Sequence, residues 1–148
     1  MGLCMHFSVL ASSETPIPTA VTSYVKSHFP KAKNVHWQKH GEDYIAHFVN
    51  VKSEVGLCLN EKGELLDRVT EITLKDELPE AVKRNFAVDH LLYAEKFEGR
   101  NGELFYILEI KLNESESDEI IYDREGNQVK EIVFNDAKGG EKPSVLEF

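Results

Sequence analysis

The sequence predicts an α+β fold: a tandem repeat of helix plus four antiparallel strands, forming one antiparallel sheet with both helices on one face. Three observations lead there. The first is the stretch Glu103–Leu112, where Leu104, Tyr106, Leu108, Ile110 and Leu112 share one parity and Phe105, Ile107, Glu109 and Lys111 the other. Side chains alternate across a strand, so this is a strand with one wholly apolar face and one mixed face. The second is a weaker copy upstream, Tyr44–Val51, set in the same order of neighbouring elements. The third is size: at 148 residues and 41% hydrophobic the chain can build one core, whereas one helix on four strands could barely bury its apolar face.

Taken in order, Met1 to Ser12 has no acidic or basic side chain and ends its apolar run in Val9-Leu10-Ala11. That pattern reads residues 1–11 as the remnant of a secretion signal lacking its basic start, with the mature chain beginning near Ser12. Pro16 and Pro18 lie in a polar lead-in. A helix then opens at Pro18 or Thr19, with Ala20, Val21, Tyr24, Val25 and Phe29 at helical spacing. Pro30 closes it, because a residue before proline disfavours the α region. Strands follow at Asn34–Lys39, Tyr44–Val51, Glu54–Leu59 and Glu64–Leu74, with a tight turn at Lys52-Ser53 and a hairpin turn at Asn60-Glu61-Lys62-Gly63.

The order then begins again. Pro79 falls in the first turn of a second helix, with Ala81, Val82, Phe86 and His90 as its inner stripe. Strands are expected at Tyr93–Glu98, Glu103–Leu112, Asp118–Tyr122 and Asn127–Phe134, the last after the turn Asp123-Arg124-Glu125-Gly126. Pro18 and Pro79 stand 61 residues apart, Trp37 and Phe97 60, Tyr44 and Phe105 61, Gly63 and Gly126 63. These offsets match Ile45, Val49 and Val51 with Tyr106, Ile110 and Leu112, and Leu57 and Leu59 with Ile120 and Tyr122. Ile45 and Tyr106 should therefore look out to the same side. The chain divides into residues 12–76 as repeat 1, 77–134 as repeat 2 and 135–148 as a tail with the apolar end Val145-Leu146-Glu147-Phe148.

Composition removes some functions. The net charge of −9 argues against a phosphate-backbone partner, which needs clustered cations. No stretch is long enough to span a bilayer. Cys4 and Cys58 have no metal-binding spacing, and Cys58 lies in an apolar strand where a thiol acts as a small hydrophobe. No G-x-S-x-G or H-E-x-x-H occurs. His36, His40 and His47 sit near the first turn, but His47 is expected on the helix-covered face, so the three make no zinc site. The acidic stretch Glu114 to Glu119 lacks the glycine and ligand order of a calcium loop. No catalytic residue, metal ligand or cofactor is expected.

The pattern Pro18-x-x-Val21-x-x-Tyr24-Val25-x-x-x-Phe29-Pro30, then Trp37, Tyr44 and Asn60-Glu61-Lys62-Gly63-Glu64-Leu65, resembles the PepSY-like family of exported proteins from Bacteroides-type bacteria. The order of elements is similar to the β-lactamase-inhibitor-protein (BLIP-like) type. The resemblance covers about Ile17 to Phe134. It implies the fold and a periplasmic or secreted location, and no particular activity.

With helices on the face of Ile45, Leu57 and Ile110, the opposite face should carry Tyr44, Ala46, Phe48, Cys58, Phe105 and Ile107, with Ile121 beside them. Several apolar side chains on a sheet face that is ordinarily polar mark a partner surface. A β-bulge would invert the assignment locally. The expectation is a non-enzymatic exported binding module that engages an envelope protein or peptide through the open face of the sheet. The alternative is a structural, self-associating envelope protein without a separate ligand, dimerising through that face.

Overall fold

The computed structural model describes residues 16–129. Within them lie α1 (Thr19–His28), β1 (Ala32–His40), β2 (Asp43–Asn50), β3 (Ser53–Leu59), β4 (Leu65–Glu71), α2 (Glu80–Lys83), β5 (Leu91–Glu98), β6 (Leu104–Lys111), β7 (Ser117–Asp123) and β8 (Gln128–Val129). Short 3-10 turns occupy Lys75–Glu77 and Val88–His90. The strands form one eight-stranded sheet in sequence order, every neighbouring pair antiparallel. The chain is thus an α+β molecule with a single sheet.

Helix α1 buries Val21 and Val25, one turn apart, on the sheet. It stops where expected: the Phe29 N–H still reaches the Val25 carbonyl at 2.8 Å, and Pro30 follows. Val21 and Val25 pack with Tyr44, Ala46, Phe48, Val55, Leu57 and Leu59, and with the half-buried Phe29 and Trp37. The second cluster joins Leu78 and Val82 to Ala94, Tyr106, Leu108, Ile110 and Tyr122. Paired residues of an antiparallel ladder share a face. Val55 pairs with Thr70, Thr70 with Lys96, and Lys96 with Tyr106. Both clusters, and so both helices, therefore lie on the same side of the sheet.

The opposite side has no helix over it among the described residues. It carries Ile45, His47 and Val49 from β2, Glu54 and Cys58 from β3, Asp67, Val69 and Glu71 from β4, and Phe97, Phe105, Ile107 and Ile121 from the second half.

Several sequence expectations need correction. Tyr44, Ala46 and Phe48 are not on the open face; they are core under α1, 8%, 0% and 4% exposed. Ile45 is the residue that faces the other way, so Ile45 and Tyr106 look out to opposite sides, and their equivalence fails. The cause is that Tyr44, Ile45 and Ala46 are all buried, so hydropathy does not mark the inner face of β2. His47 follows Ile45 to the open face, where it pairs across the ladder with His36. Helix α2 is only four residues long: Val82 is buried, Ala81 and Phe86 are partly covered, and His90 is exposed in a 3-10 turn. Asn85 explains the early stop. Its Nδ2 donates to the Ala81 carbonyl (2.9 Å), the Val82 carbonyl (3.2 Å) and the Gly126 carbonyl (3.2 Å), taking helix acceptors for a side chain. Strand β4 ends at Glu71, short of the expected Leu74. The signal reading of residues 1–11, Cys4, the end of the last strand and the tail lie outside the described residues.

Candidate functional site: the open face of the sheet

Two adjacent rows of cross-strand neighbours define the open face. One runs His36, His47, Gly56, Val69, Phe97, Phe105, Asp123 from β1 to β7. In the next, Val49 pairs with Glu54, and Glu71, which takes a backbone hydrogen bond from Glu54, begins the run Glu71, Glu95, Ile107, Ile121, Val129 from β4 to β8. The second row is acidic over its first half and apolar over its last. Together they place an apolar strip beside a line of three carboxylates. Val69, Phe97 and Ile107 form the floor of the strip, and Phe105 and Ile121 pack against it with part of their surface exposed. The rings of Phe97 and Phe105 stack with centroids 6.2 Å apart and planes within 12°.

Glu95 is 7% exposed. Burial raises its carboxyl to about 7, against a hydrogen bond from Tyr93 that lowers it and with the Glu119, Glu54 and Glu71 charges that raise it further. Glu71 is raised for the same reasons, burial first and Glu54 next. Among the described residues no cation forms an ion pair with Glu54, Glu71 or Glu95.

At one end of the face the β5–β6 turn is tied down by an ion pair. Arg100 donates from its backbone N–H to Asp67 Oδ1 at 3.1 Å and from Nη2 to Oδ2 at 2.8 Å. Asp67 lies beside Cys58 in the ladder, and Cys58 beside Ile45. The Cys58 thiol is free, and burial, with Asp43 and Asp67 nearby, pushes it up to about 11. It is neutral at ordinary pH and no nucleophile. At the other end, His36, His47, Val49 and Glu54 border a hollow of about 280 Å³. Burial lowers the His47 pKa, His36 lowers it further, and Glu54 opposes both. Among the described residues no three His, Cys, Asp or Glu side chains are arranged to hold a metal ion.

Of the six residues expected on this face, Cys58, Phe105 and Ile107 stand on it and Tyr44, Ala46 and Phe48 stand behind it. Sequence reasoning missed Val69, Phe97 and above all Glu95. Glu95 shares its parity with Tyr93 and Phe97, so an acid set between two aromatics on one strand face was the available signal.

Among the described residues the architecture is that of a single-sheet α+β protein with no helix over one sheet face. Solved structures of Bacteroides proteins are similar to it in fold. The chain is similar to a DUF2874 family protein from Bacteroides uniformis ATCC 8492, with TM-score 0.62 and 18% identity over 76% of this chain and 86% of that one. It is similar to a protein provisionally described as periplasmic from Bacteroides eggerthii DSM 20697, with TM-score 0.64 and 19% identity over 78% and 88%. It is also similar to a BLIP-like protein from Bacteroides fragilis NCTC 9343, with TM-score 0.59 and 16% identity over 78% and 84%. At these identities the likeness is one of fold. No family profile matches the sequence. No curated protein matches it either. No described helix is long and apolar enough to cross a membrane.

Proposed function

We propose that the protein is a non-enzymatic exported binding module that engages another protein or peptide through the open face of its sheet. The observation that carries this is the face itself: a strip of Val69, Phe97, Phe105, Ile107 and Ile121 without a helix over it, bordered by Glu71 and Glu95 without ion pairs among the described residues. Such a surface suits a segment that lays apolar side chains on Phe105 and Ile121 and cations over the carboxylates. A photo-crosslinking residue at position 105 tests it in envelope preparations. A specific adduct is expected, and it should disappear in Ile121→Lys while the circular dichroism spectrum is unchanged. A concentration-dependent mass in sedimentation, abolished by Ile121→Lys, would instead favour self-association. Crosslinking no stronger than from Lys26, exposed on α1, would end the reading.

We read the chain as a duplication, in a register different from that of the simple offsets. Its support is that Tyr44, Ala46 and Phe48 pack under α1 as Tyr106, Leu108 and Ile110 pack near α2. The Gly63 turn abuts the Ala20 carbonyl of α1 just as the Gly126 turn abuts the Ala81 carbonyl of α2. Export is supported by the Val9-Leu10-Ala11 pattern and by the description of the Bacteroides eggerthii protein. N-terminal sequencing of the protein from cells should find Ser12 first; an intact Met1 would overturn it.

A further inference from the structure

A second concave site lies on the helix side. There α1 has ended and α2 has not begun, and among the described residues no helix lies over the middle of the sheet. The resulting cleft, about 460 Å³, is lined by Lys52, Arg68 and Lys96, by Thr70 and Thr73, and by the apolar residues Phe29 and Val55. Its volume falls in the range of small-molecule sites, roughly 300–1,000 Å³.

Its charge is opposite to that of the molecule. The chain carries −9, yet three cations and no carboxylate line this cleft among the described residues. Two of them share Glu98: Lys96 Nζ lies 3.0 Å from Oε1, while Arg68 donates to Oε2 through Nε at 3.0 Å and through Nη2. One carboxylate thus serves two cations. Lys52 forms no ion pair among the described residues. A guanidinium offers five donors and an ammonium three, so most of the donors here are uncommitted to these pairs.

The rim adds an independent observation. Val51 sits in the two-residue β2–β3 turn with φ 61°, a backbone region that β-branched residues avoid, and its side chain is 68% exposed beside the cleft. It contributes nothing to the core, and glycine would fit the turn without strain. An apolar side chain held there against local preference extends the apolar wall of Phe29 and Val55 outward from the cations.

We propose that this cleft binds an amphiphilic organic anion, its carboxylate or phosphate head on Arg68, Lys96 and Lys52 and its short apolar chain against Phe29, Val51 and Val55. Titration of the intact protein with octanoate and with octyl phosphate, read by backbone amide NMR shifts, separates the two head groups; inorganic phosphate and octanol supply the head and the chain alone. Saturable shifts at Lys52, Thr70 and Lys96 are expected for at least one amphiphile. Its affinity should fall about tenfold in Lys52→Gln, whose side chain has no ion pair to lose among the described residues, and in Lys96→Gln. Val51→Gly should weaken the amphiphile several-fold while raising the melting temperature, a combination that a purely structural residue would not give. Equal binding of inorganic phosphate and the amphiphile, no change in Lys52→Gln, or no saturation below about 10 mM would each overturn the proposal.

Discussion

Glu95 shows how far one side chain can be read from chemistry alone. An acid whose folded pKa of about 7 exceeds its ordinary 4.5 binds a proton in the folded chain that the unfolded chain has released. Its contribution is therefore complete below pH 4.5 and is lost as pH rises through 7, by about 3 kcal/mol for the full shift. Chemical denaturation from acid to neutral pH should show that decline, and Glu95→Gln should flatten it. A Glu95→Gln profile with the same slope as the wild type over this window would refute the assignment. Glu98 acts in the opposite sense: burial would raise it, but the hydrogen bonds and charges of Lys96 and Arg68 outweigh burial and lower it. Its share of stability is present at neutral pH and lost in acid. Val51 is the other residue with a measurable consequence. Relief of a strained β-branched turn residue should stabilise Val51→Gly by about 1 kcal/mol in equilibrium unfolding. Neither residue was singled out from the sequence: Glu95 owes its raised pKa first to burial, which the Tyr93-Glu95-Phe97 alternation only hints at, and Val51 owes its strain to a turn placed one residue from the expected one.

Among the elements, the helix α1, the hairpin turns and the strand order were legible, because proline, glycine and period-two alternation mark them locally. The inner face of β2 was not, for Tyr44, Ile45 and Ala46 are all buried. Yet the turn held the answer. A two-residue turn, whether at Lys52-Ser53 or at the observed Val51-Lys52, pairs even-numbered residues of β2 with odd-numbered residues of β3. With Leu57 and Leu59 inward, it brings Tyr44, Ala46 and Phe48 inward too. Parity carried through the turn outranks hydropathy within the strand. The turns that close each half are the elements to test. In the first, the Lys62 and Glu64 N–H groups donate to Asn60 Oδ1, each at 3.0 Å; in the second, the Glu125 and Asn127 N–H groups donate to Asp123 Oδ1 at 3.0 and 2.9 Å. A methyl at Gly63, φ 79°, would lie 2.5 Å from the Ala20 carbonyl oxygen, and at Gly126, φ 85°, it would meet the Ala81 oxygen. Gly63→Ala and Gly126→Ala should each lose about 2 kcal/mol or more in denaturant unfolding. A loss under about 0.5 kcal/mol in either would mean that turn and helix do not touch.

For the whole molecule, the single sheet was legible from the order of elements and its open face in part: Cys58, Phe105 and Ile107 stand on it as expected, Tyr44, Ala46 and Phe48 do not, and the cleft on the helix side was not foreseen. Each site depends on which rows of side chains the ladder aligns across strands far apart in sequence. Row alignment gives the acidic and apolar halves of one face and the cationic cleft of the other. The ladder is also uneven. Seven residue pairs join β2 to β3 and seven join β6 to β7, but only four join β4 to β5. Amide hydrogen exchange should accordingly be faster at Thr70 and Lys96 than at Leu57 or Leu108. Uniform protection across those four positions would contradict it.

That narrow join has a mechanical meaning. Two stiff plates meeting along a short line can tilt about it. Thr70 and Lys96 face each other across that line on the cationic side, while Val69 and Phe97 face each other across it on the reverse. Any tilt about that line opens one side as it closes the other, so a change of bow at Thr70 and Lys96 is matched by an opposite change at Val69 and Phe97.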